Sequence, residues 1–313
     1  MEQIIIFFIG LIGLWLGAEL VINGALGLAR RFGLSESFIG LIILALGTDL
    51  PEIMVSVSGA MEQLKGVNAS GIIVGNVIGS NMSNMVFVLG SVGLLGGSMA
   101  IHKREMWRES LAVVAATLLF LALSADGVLS QYDGWIFLMT YLFYFIIVSR
   151  SQPRLSTKRK YRKRAWWKLA SILLVGIIVL GEASSRVISS GIEIAATLGV
   201  SQLVVGAILV GVGTSLPELV VSTKAVLRGA NDLSVANLVG SNIINILLAL
   251  GIAAVISGLT IERHVAQFDL PFLLFTMIIV SLFTLSRGKL ERRESLLLLS
   301  LYAVYVALKL LGW

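Results

Sequence analysis

The stretch Gly47-Thr48-Asp49-Leu50-Pro51-Glu52 places a proline and a carboxylic acid inside hydrophobic sequence. A carboxylate at the centre of a transmembrane helix costs about 2.5–3.5 kcal/mol on insertion scales. A proline there removes a backbone hydrogen bond and clashes with the carbonyl four residues earlier. The stretch Gly213-Thr214-Ser215-Leu216-Pro217-Glu218 repeats the pattern in a second apolar segment. Two such faults at matching places predict a binding site built from two related halves.

The composition indicates a helical protein that crosses a lipid bilayer several times. Of 313 residues, 57% are hydrophobic and 13% are charged, whereas soluble domains are about half apolar and about a quarter charged. The charges cluster and leave apolar stretches of membrane-spanning length. The chain has no cysteine, which excludes disulfide and thiolate chemistry. The net charge of +6 is concentrated in loops, so no nucleic-acid partner is expected.

Ten apolar segments predict ten transmembrane helices in an all-α protein. The first begins close to the N-terminus without a basic leader, so we interpret it as a spanning helix and not as a cleavable signal. The predicted spans 1 to 10 lie at 4–29, 37–61, 69–97, 106–124, 134–149, 166–198, 202–227, 233–258, 266–285 and 295–311.

Basic residues predict the orientation, because cytoplasmic loops carry an excess of Lys and Arg. They follow the odd-numbered spans and reach their highest density between Arg150 and Lys168, after span 5. Ten spans place all of these loops on one side. We therefore expect a multi-pass protein of the cell membrane with both termini extracytoplasmic and a cytoplasmic basic linker at 151–165.

Matching spacings along the chain reveal an internal repeat. Gly33-Leu34-Ser35 recurs at Gly199-Val200-Ser201, and the two proline motifs are the same distance apart in sequence. The segment from Gly75 to Asn84 recurs from Ala236 to Asn245, at a slightly shorter spacing. Residues 1–150 and 166–313 are thus predicted to be five-helix copies. Because five is odd, the copies enter the membrane from opposite sides, which is the inverted repeat of many secondary transporters.

Side chains four residues apart share a helix face, and four such faces here are rich in oxygen. Their members are Thr48, Glu52 and Ser56 on span 2; Asn76, Ser80 and Asn84 on span 3; Thr214, Glu218 and Ser222 on span 7; and Asn237, Ser241 and Asn245 on span 8. Backbone carbonyls freed by the prolines add ligands where the helices break at the midplane. Such hard oxygen ligands suit Ca²⁺, Mg²⁺ and Na⁺.

These paired motifs resemble the two α-repeats of the Na⁺/Ca²⁺ exchanger family, within the cation/Ca²⁺ antiporter superfamily, and most closely its prokaryotic members. The resemblance implies ten helices in two inverted repeats, with spans 2, 3, 7 and 8 broken or kinked around the ion sites. It also implies that spans 1 and 6 form a mobile pair. Gly10, Gly13 and Gly17 would then let span 1 slip past its neighbours.

The same resemblance implies a role for each site residue. Glu52 and Glu218 would be the central Ca²⁺ ligands, helped by the backbone carbonyls of Thr48 and Thr214. Na⁺ would be bound with the help of three hydroxyls, and two amides would lie at the middle of the cluster; these residues are Ser80, Ser215, Ser241, Asn84 and Asn245.

Two positions depart from the family pattern. Asn245 stands where relatives often have Asp, and Asp49 stands where Ser is usual. Our hypothesis is that Asp49 restores the lost charge from another wall of the same cavity. Three Na⁺ would neutralise three carboxylates, and one Ca²⁺ would leave one negative charge, so exchange would be electrogenic.

The sequence therefore predicts a secondary antiporter that exchanges Na⁺ for Ca²⁺ by alternating access, with a monomer sufficient for transport. A Ca²⁺/H⁺ antiporter of the same superfamily is the alternative, and a cation channel is a further one. No enzyme activity and no cofactor are expected, since the chain has no phosphate-binding loop and its acids fit cations better than an aspartyl dyad.

Overall fold

The computed structural model describes residues 2–31, 45–100, 103–151, 166–227, 229 and 231–311, and these residues are mainly helical. Three predicted features lie outside the described residues: the beginning of span 2 at 37–44, the Gly33-Leu34-Ser35 copy and nearly all of the basic linker.

The helices of the first half follow the predicted spans closely. Span 2 is divided at Asp49, and span 3 continues through a π-helical segment, Ser83–Val88. Two short strands flank α6. The elements are α1 (Glu2–Arg31), α2 (Ala45–Thr48), α3 (Leu50–Leu64), α4 (Ser70–Met82), α5 (Leu89–Gly96), β1 (Ser98–Ala100), α6 (Lys103–Leu123), β2 (Val128–Leu129) and α7 (Gln131–Ser151).

The second half shows the same order of elements. Three π-helical segments, at Gly206–Val210, Asn245–Ala249 and Val265–Asp269, join or precede its helices. The elements are α8 (Trp166–Leu198), α9 (Gln202–Val205), α10 (Gly211–Thr214), α11 (Leu216–Leu227), α12 (Asn231–Ile244), α13 (Leu250–Ser257), β3 (Leu259–Thr260), α14 (Leu270–Arg287), β4 (Lys289–Glu291) and α15 (Arg292–Leu310).

Seven helices of the described chain are long and apolar enough to cross a membrane, or eight if the bent pair 202–214 and 216–227 is one span. This count is smaller than the predicted ten. The described part of span 2 carries Asp49, Glu52 and Glu62, and α15 begins with Arg292-Arg293-Glu294. Charges in these two helices reduce their apolar character, so the number ten stays a prediction.

The short strands link the two halves at both ends of helix α6. Strand β1, before α6, pairs antiparallel with β4, and β2, after α6, pairs antiparallel with β3. Glycines with positive φ precede the strands: Gly97 and Gly258 end α5 and α13, and Gly127 and Gly288 precede β2 and β4. Both glycine pairs have the same spacing along the chain as the two copies of the second sequence motif, so the strands belong to the repeat.

Buried polar contacts join the outer helices of each half. Tyr144 on α7 donates a hydrogen bond to Glu109 on α6. Tyr305 on α15, the repeat mate of Tyr144, donates to Asp269 Oδ1 at 3.1 Å. Lys309 Nζ lies 2.8 Å from Asp269 Oδ2, and both side chains are buried. Because a buried carboxylate needs partners, these contacts fix how α6 packs on α7 and how α14 packs on α15.

Helices α1 and α8 form a closely packed pair. A Cβ atom added to Gly10 would lie 2.7 Å from Val187 Cγ2, one added to Gly13 would lie 2.9 Å from Ala183 Cβ, and one added to Gly17 would lie 2.9 Å from Leu180. The three glycines therefore let α1 approach α8 closely. The close contact is compatible with spans 1 and 6 acting as one pair, and the expectation that span 1 slips past its other neighbours stays a prediction.

Candidate cation-binding site

Helix breaks position the two proline motifs. Helix α2 ends at Thr48 and α3 begins at Leu50, so that Asp49 lies between them with φ −84° and ψ 1°. Ser215 separates α10 from α11 with nearly the same angles, −81° and 3°. The two helices around Ser215 are bent by 41°. Because Pro51 and Pro217 have no N–H to donate to the preceding turn, both breaks follow from the sequence.

Spans 3 and 8 were expected to be broken or kinked, and in both the helix continues through a π-helical segment without a break. Helix α4 continues into α5 through the π-helical segment that begins at Ser83, and α12 continues into α13 through the one that begins at Asn245. Neither span contains a proline, so the chain keeps its hydrogen bonds with a wider turn instead of breaking. Such π-turns are frequent at functional sites.

Three carboxylates meet in the interior between the two breaks. Asp49, Glu52 and Glu218 are each 0% exposed. Glu52 repels Asp49 electrostatically, and Glu218 is repelled by both. Within the described chain, no carboxylate oxygen of the three has a hydrogen bond of ordinary geometry or an ion-pair partner. Since burying unpaired charge is costly, this cluster requires positive charge from bound cations or protons.

Hydroxyl groups surround the carboxylates, and they do so reciprocally between the halves. Thr214 of the second motif lies against the Glu52 carboxylate of the first. Thr48 of the first motif lies against the Glu218 carboxylate of the second. Each threonine therefore faces the acid of the other half, so neither half forms the cluster alone.

The predicted serines lie around the same cluster. Ser80 and Ser215 are near the Glu52 carboxylate, and Ser241 is near the carboxylate of Asp49. The structure thus brings eight of the ten predicted residues together: Thr48, Asp49, Glu52, Ser80, Thr214, Ser215, Glu218 and Ser241.

A hydrogen-bonded chain connects α4 with the two broken helices. Ser80 Oγ lies 3.2 Å from Thr214 Oγ1, which donates to Asn76 Oδ1 at 3.2 Å. Asn76 Nδ2 in turn donates to the Glu52 backbone carbonyl at 3.4 Å. Asn76 thus bridges both helix breaks, so it acts as a positioning residue. Its repeat mate Asn237 is only half buried, and its Nδ2 has no partner among the described residues.

The remaining two predicted residues, Asn84 and Asn245, are 0% exposed and lie at the start of the π-helical segments. Asn245 Nδ2 donates to Asn81 Oδ1 at 3.3 Å. No hydrogen bond joins Asn84 or Asn245 to the three acids within the described ranges. Asn81 was missed as a positioning residue, although its place in both Gly-Ser-Asn sequences could have revealed it.

The chemistry of the cluster depends on mixed oxygen ligands. The described residues contain no group of three or more His, Cys, Asp or Glu side chains arranged to hold a metal ion. Hydroxyl, amide and backbone oxygens must therefore complete any cation shell around the carboxylates. A shell of that kind suits a hard cation that takes many oxygen ligands.

Comparison with known proteins identifies the family. The model of the family described as "Sodium/calcium exchanger protein" matches residues 2–150 and 168–311. The chain belongs to the sodium/calcium exchanger family. Members of this family are transporters, within the cation/Ca²⁺ antiporter superfamily. The multi-pass membrane character inferred from the apolar helices agrees with this membership.

Individual exchangers are similar over nearly the whole chain. The sodium/calcium exchanger MaX1 of Methanosarcina acetivorans is 26% identical, over 96% of this chain and 97% of that protein. The exchanger NCX_Mj soaked with 2.5 mM Na⁺ and 0.1 mM Ca²⁺ has a TM-score of 0.66 and 28% identity, with 98% of each chain covered. The H⁺/Ca²⁺ exchanger CAX has a TM-score of 0.76 at 16% identity, covers 98% of this chain and 86% of that one, and shows a shared fold alone.

Proposed function

We propose that this protein exchanges Na⁺ for Ca²⁺ across the membrane by alternating access. The observation that carries the proposal is the reciprocal cluster, in which Thr48 faces Glu218, Thr214 faces Glu52, and three buried acids lack counter-charges in the described chain. A site that needs bound positive charge and is closed by two halves suits an antiporter better than a continuous pore.

The proposed ligands follow from the placement of these side chains. Glu52 and Glu218 bind Ca²⁺ with the backbone carbonyls of Thr48 and Thr214. Asp49 supplies the third negative charge, which three Na⁺ would balance and one Ca²⁺ would not. Exchange of three Na⁺ for one Ca²⁺ would therefore move net charge. Ser80, Ser215 and Ser241 help bind Na⁺. We assign Asn84 and Asn245, each one helical turn after a motif serine, to the middle of the cluster.

We also propose that the fold comprises ten spans in two inverted repeats. The repeat relates β1 to β3 and β4 to β2, so it relates the β1–β4 pair to the β2–β3 pair. These two strand pairs lie at opposite ends of α6. A helix of 21 residues is about 32 Å long. The strand pairs are therefore separated by about the thickness of a bilayer core. A repeat that exchanges two membrane faces is inverted.

The strand pairing also supports the proposed orientation. The β1–β4 ladder brings the loop before α6 to the loop before α15. Basic residues lie at this end of both helices: Lys103 and Arg104 begin α6, and Arg292 and Arg293 begin α15. We assign this face to the cytoplasm, together with the linker at 151–165, and both termini to the outside.

Exchange of Ca²⁺ for H⁺ is the second function that the same geometry supports. Glu52 and Asp49 are near enough to influence each other electrostatically, and one of the acids could take up a proton when only one divalent cation is present. A protonated acid would then replace a Na⁺ in the charge balance. Both modes require Glu52 and Glu218, so only the dependence of transport on Na⁺ separates them.

Ca²⁺ uptake into proteoliposomes tests the proposal. Vesicles loaded with Na⁺ should accumulate Ca²⁺, and vesicles carrying only a pH gradient should not. Glu52→Gln and Glu218→Gln should abolish uptake, whereas Glu62→Gln is the matched control, because Glu62 lies on α3 but pairs with exposed Lys65. Ca²⁺ uptake driven equally well by the pH gradient would indicate coupling to H⁺. A Ca²⁺ flux that does not saturate with Ca²⁺ concentration would indicate a channel.

A further inference from the structure

The middle of helix α8 carries an ion pair on its outer surface. Arg186 Nη2 lies 2.8 Å from Glu182 Oε1, and the two side chains are 54% and 64% exposed. Ser189 and Glu193 are also exposed. At 3.6 residues per turn, these four side chains fall within a stripe about 60° wide. The outer half of α8 thus has a polar stripe where an apolar one is expected.

This stripe faces away from the rest of the described protein. On the opposite face of α8, Ser184 is hydrogen-bonded to Ser58 of α3 at 2.5 Å. Gly191, on that same face, packs on Ile72 of α4. The flank of α8 is covered by α1 through Ala183 and Val187. Glu182 and Arg186 therefore point toward the surroundings of the protein.

The ion pair also lies at the middle of α8, a helix long and apolar enough to cross the membrane. Glu182 is equally far from Trp166 and Leu198, the two ends of α8. At 1.5 Å per residue this is about 24 Å from either end, and the hydrocarbon core is only about 30 Å thick. Charged side chains at such depth normally face protein or a water-filled cavity. An exposed pair at this position therefore requires a cover other than lipid.

Small residues beside the ion pair leave room for such a cover. A Cβ atom on Gly181 would meet nothing within 4 Å, whereas one on Gly176 would lie 2.7 Å from Val21. Ser185 is half buried and Ser189 is exposed. Gly181, Ser185 and Ser189 repeat at four-residue intervals, the spacing that permits close approach of two membrane helices.

We propose that this outer face of α8, formed by Gly181, Glu182, Ser185, Arg186 and Ser189, is the interface with a second copy of this chain in the membrane. A two-fold axis along the membrane normal places Glu182 of one copy beside the second copy's Arg186, and the reverse. The four charges then sum to zero in a closed network. Each copy keeps its own cation site, since both proline motifs belong to one chain.

Cysteine cross-linking in native membranes tests the contact directly. The chain has no cysteine, so a single Ser189→Cys variant has no background reaction. Under oxidation it should form a disulfide-linked dimer, because equivalent residues meet across a two-fold axis. Phe143→Cys is the control, since Phe143 is 67% exposed on α7, outside the proposed interface. Failure of Ser189→Cys to cross-link, or equal cross-linking at both positions, would overturn the proposal.

A charge exchange tests whether the ion pair holds the interface. Arg186→Glu alone and Glu182→Arg alone should each lower the Ser189→Cys cross-linked fraction about tenfold, the change expected from losing interhelical polar contacts in a membrane. Co-expression of the two variants should restore it, because one variant presents two acids and the other two bases. If Glu182 and Arg186 serve only their own helix, co-expression restores nothing.

Subunit counting supplies a readout that does not depend on any substitution in the ion pair. Fluorescently labelled protein diluted into lipid vesicles should bleach in two steps, and size-exclusion profiles should show that each variant remains folded. Bleaching of the natural chain in one step would show that α8 faces lipid and would refute the dimer.

Discussion

Helices α4 and α12 carry the same Gly-Ser-Asn motif, but their surroundings differ. Residues Ile72–Met82 of α4 are all buried. Gly75 and Gly79 lie directly against the backbone from Leu203 to Ala207, so a Cβ atom on Gly75 would lie 2.5 Å from the Leu203 carbonyl. On α12, a Cβ atom on Gly240 would meet no described atom within 4 Å, and Ala236 is exposed.

The glycines of α4 let the two halves meet at backbone distance around this motif. They pack on residues 203–207 of span 7. The repeat mates of those residues, 37–41 of span 2, lie outside the described residues, so the comparison concerns the contacts of Gly240 with the described helices alone.

The largest expected effect concerns Glu52 and Glu218, the acids of the two proline motifs. Glu52→Gln and Glu218→Gln should each lower Na⁺-driven Ca²⁺ uptake by about 100-fold or more, because each removes charge from a buried cluster. The two losses should be similar, since each acid lies beside a threonine of the other half. A large loss for only one variant would contradict the reciprocal arrangement.

The next effect concerns the one position where the two proline motifs differ in charge, Asp49 and its repeat mate Ser215. Asp49→Asn should keep the protein folded and change the net charge moved per Ca²⁺, because it removes one of three negative charges. Current and ⁴⁵Ca²⁺ uptake measured in the same proteoliposomes give this ratio. Glu62→Gln is the control, because it removes an acid of the same half that pairs with exposed Lys65, and it should leave the ratio unchanged. An unchanged ratio in Asp49→Asn would rule out its proposed role.

The glycines of the shared motif should give a smaller effect. Gly79→Ala should destabilise the protein by about 1–3 kcal/mol, because the new methyl group overlaps the Ala207 carbonyl. Gly240→Ala is the matched control and should lower the unfolding temperature less, since its methyl group would meet no described atom within 4 Å. Equal destabilisation by both variants in a thermal-unfolding measurement would contradict this difference in packing.

The smallest effect concerns the asparagines that end the shared motif. Asn81→Ala should lower Ca²⁺ affinity about threefold, because polar contacts between membrane helices average about 0.6 kcal/mol and Asn81 holds Asn245. Asn242 is its repeat mate, and Asn242→Ala should have less effect, since among the described residues its amide donates to Met277 Sδ alone. Isothermal titration in detergent compares the two variants, and a larger loss for Asn242→Ala would contradict this assignment.

Much of the site was predictable because its determinants are local. Pro51 and Pro217 break their helices wherever they lie, and an acid next to such a break in apolar sequence needs a buried partner. Contacts between helices that are distant in sequence were harder to predict. The bond from Asn81 to Asn245 and the bridging role of Asn76 depend on how α4 meets α10 and α12. The expected breaks of spans 3 and 8 proved to be π-helical segments, because no proline interrupts their hydrogen bonds.

The amino-acid sequence by itself determined the membrane-spanning character, the duplicated motifs and the identity of the acids, since these depend on composition and on spacing along the chain. Only the tertiary structure decided that each threonine faces the acid of the other half. It alone also decided that the glycines of α4 pack on the backbone of span 7, and that Glu182 and Arg186 face outward from α8. These features depend on the relative placement of helices distant in sequence, which is set by close packing of glycines and small side chains against backbone from the other half.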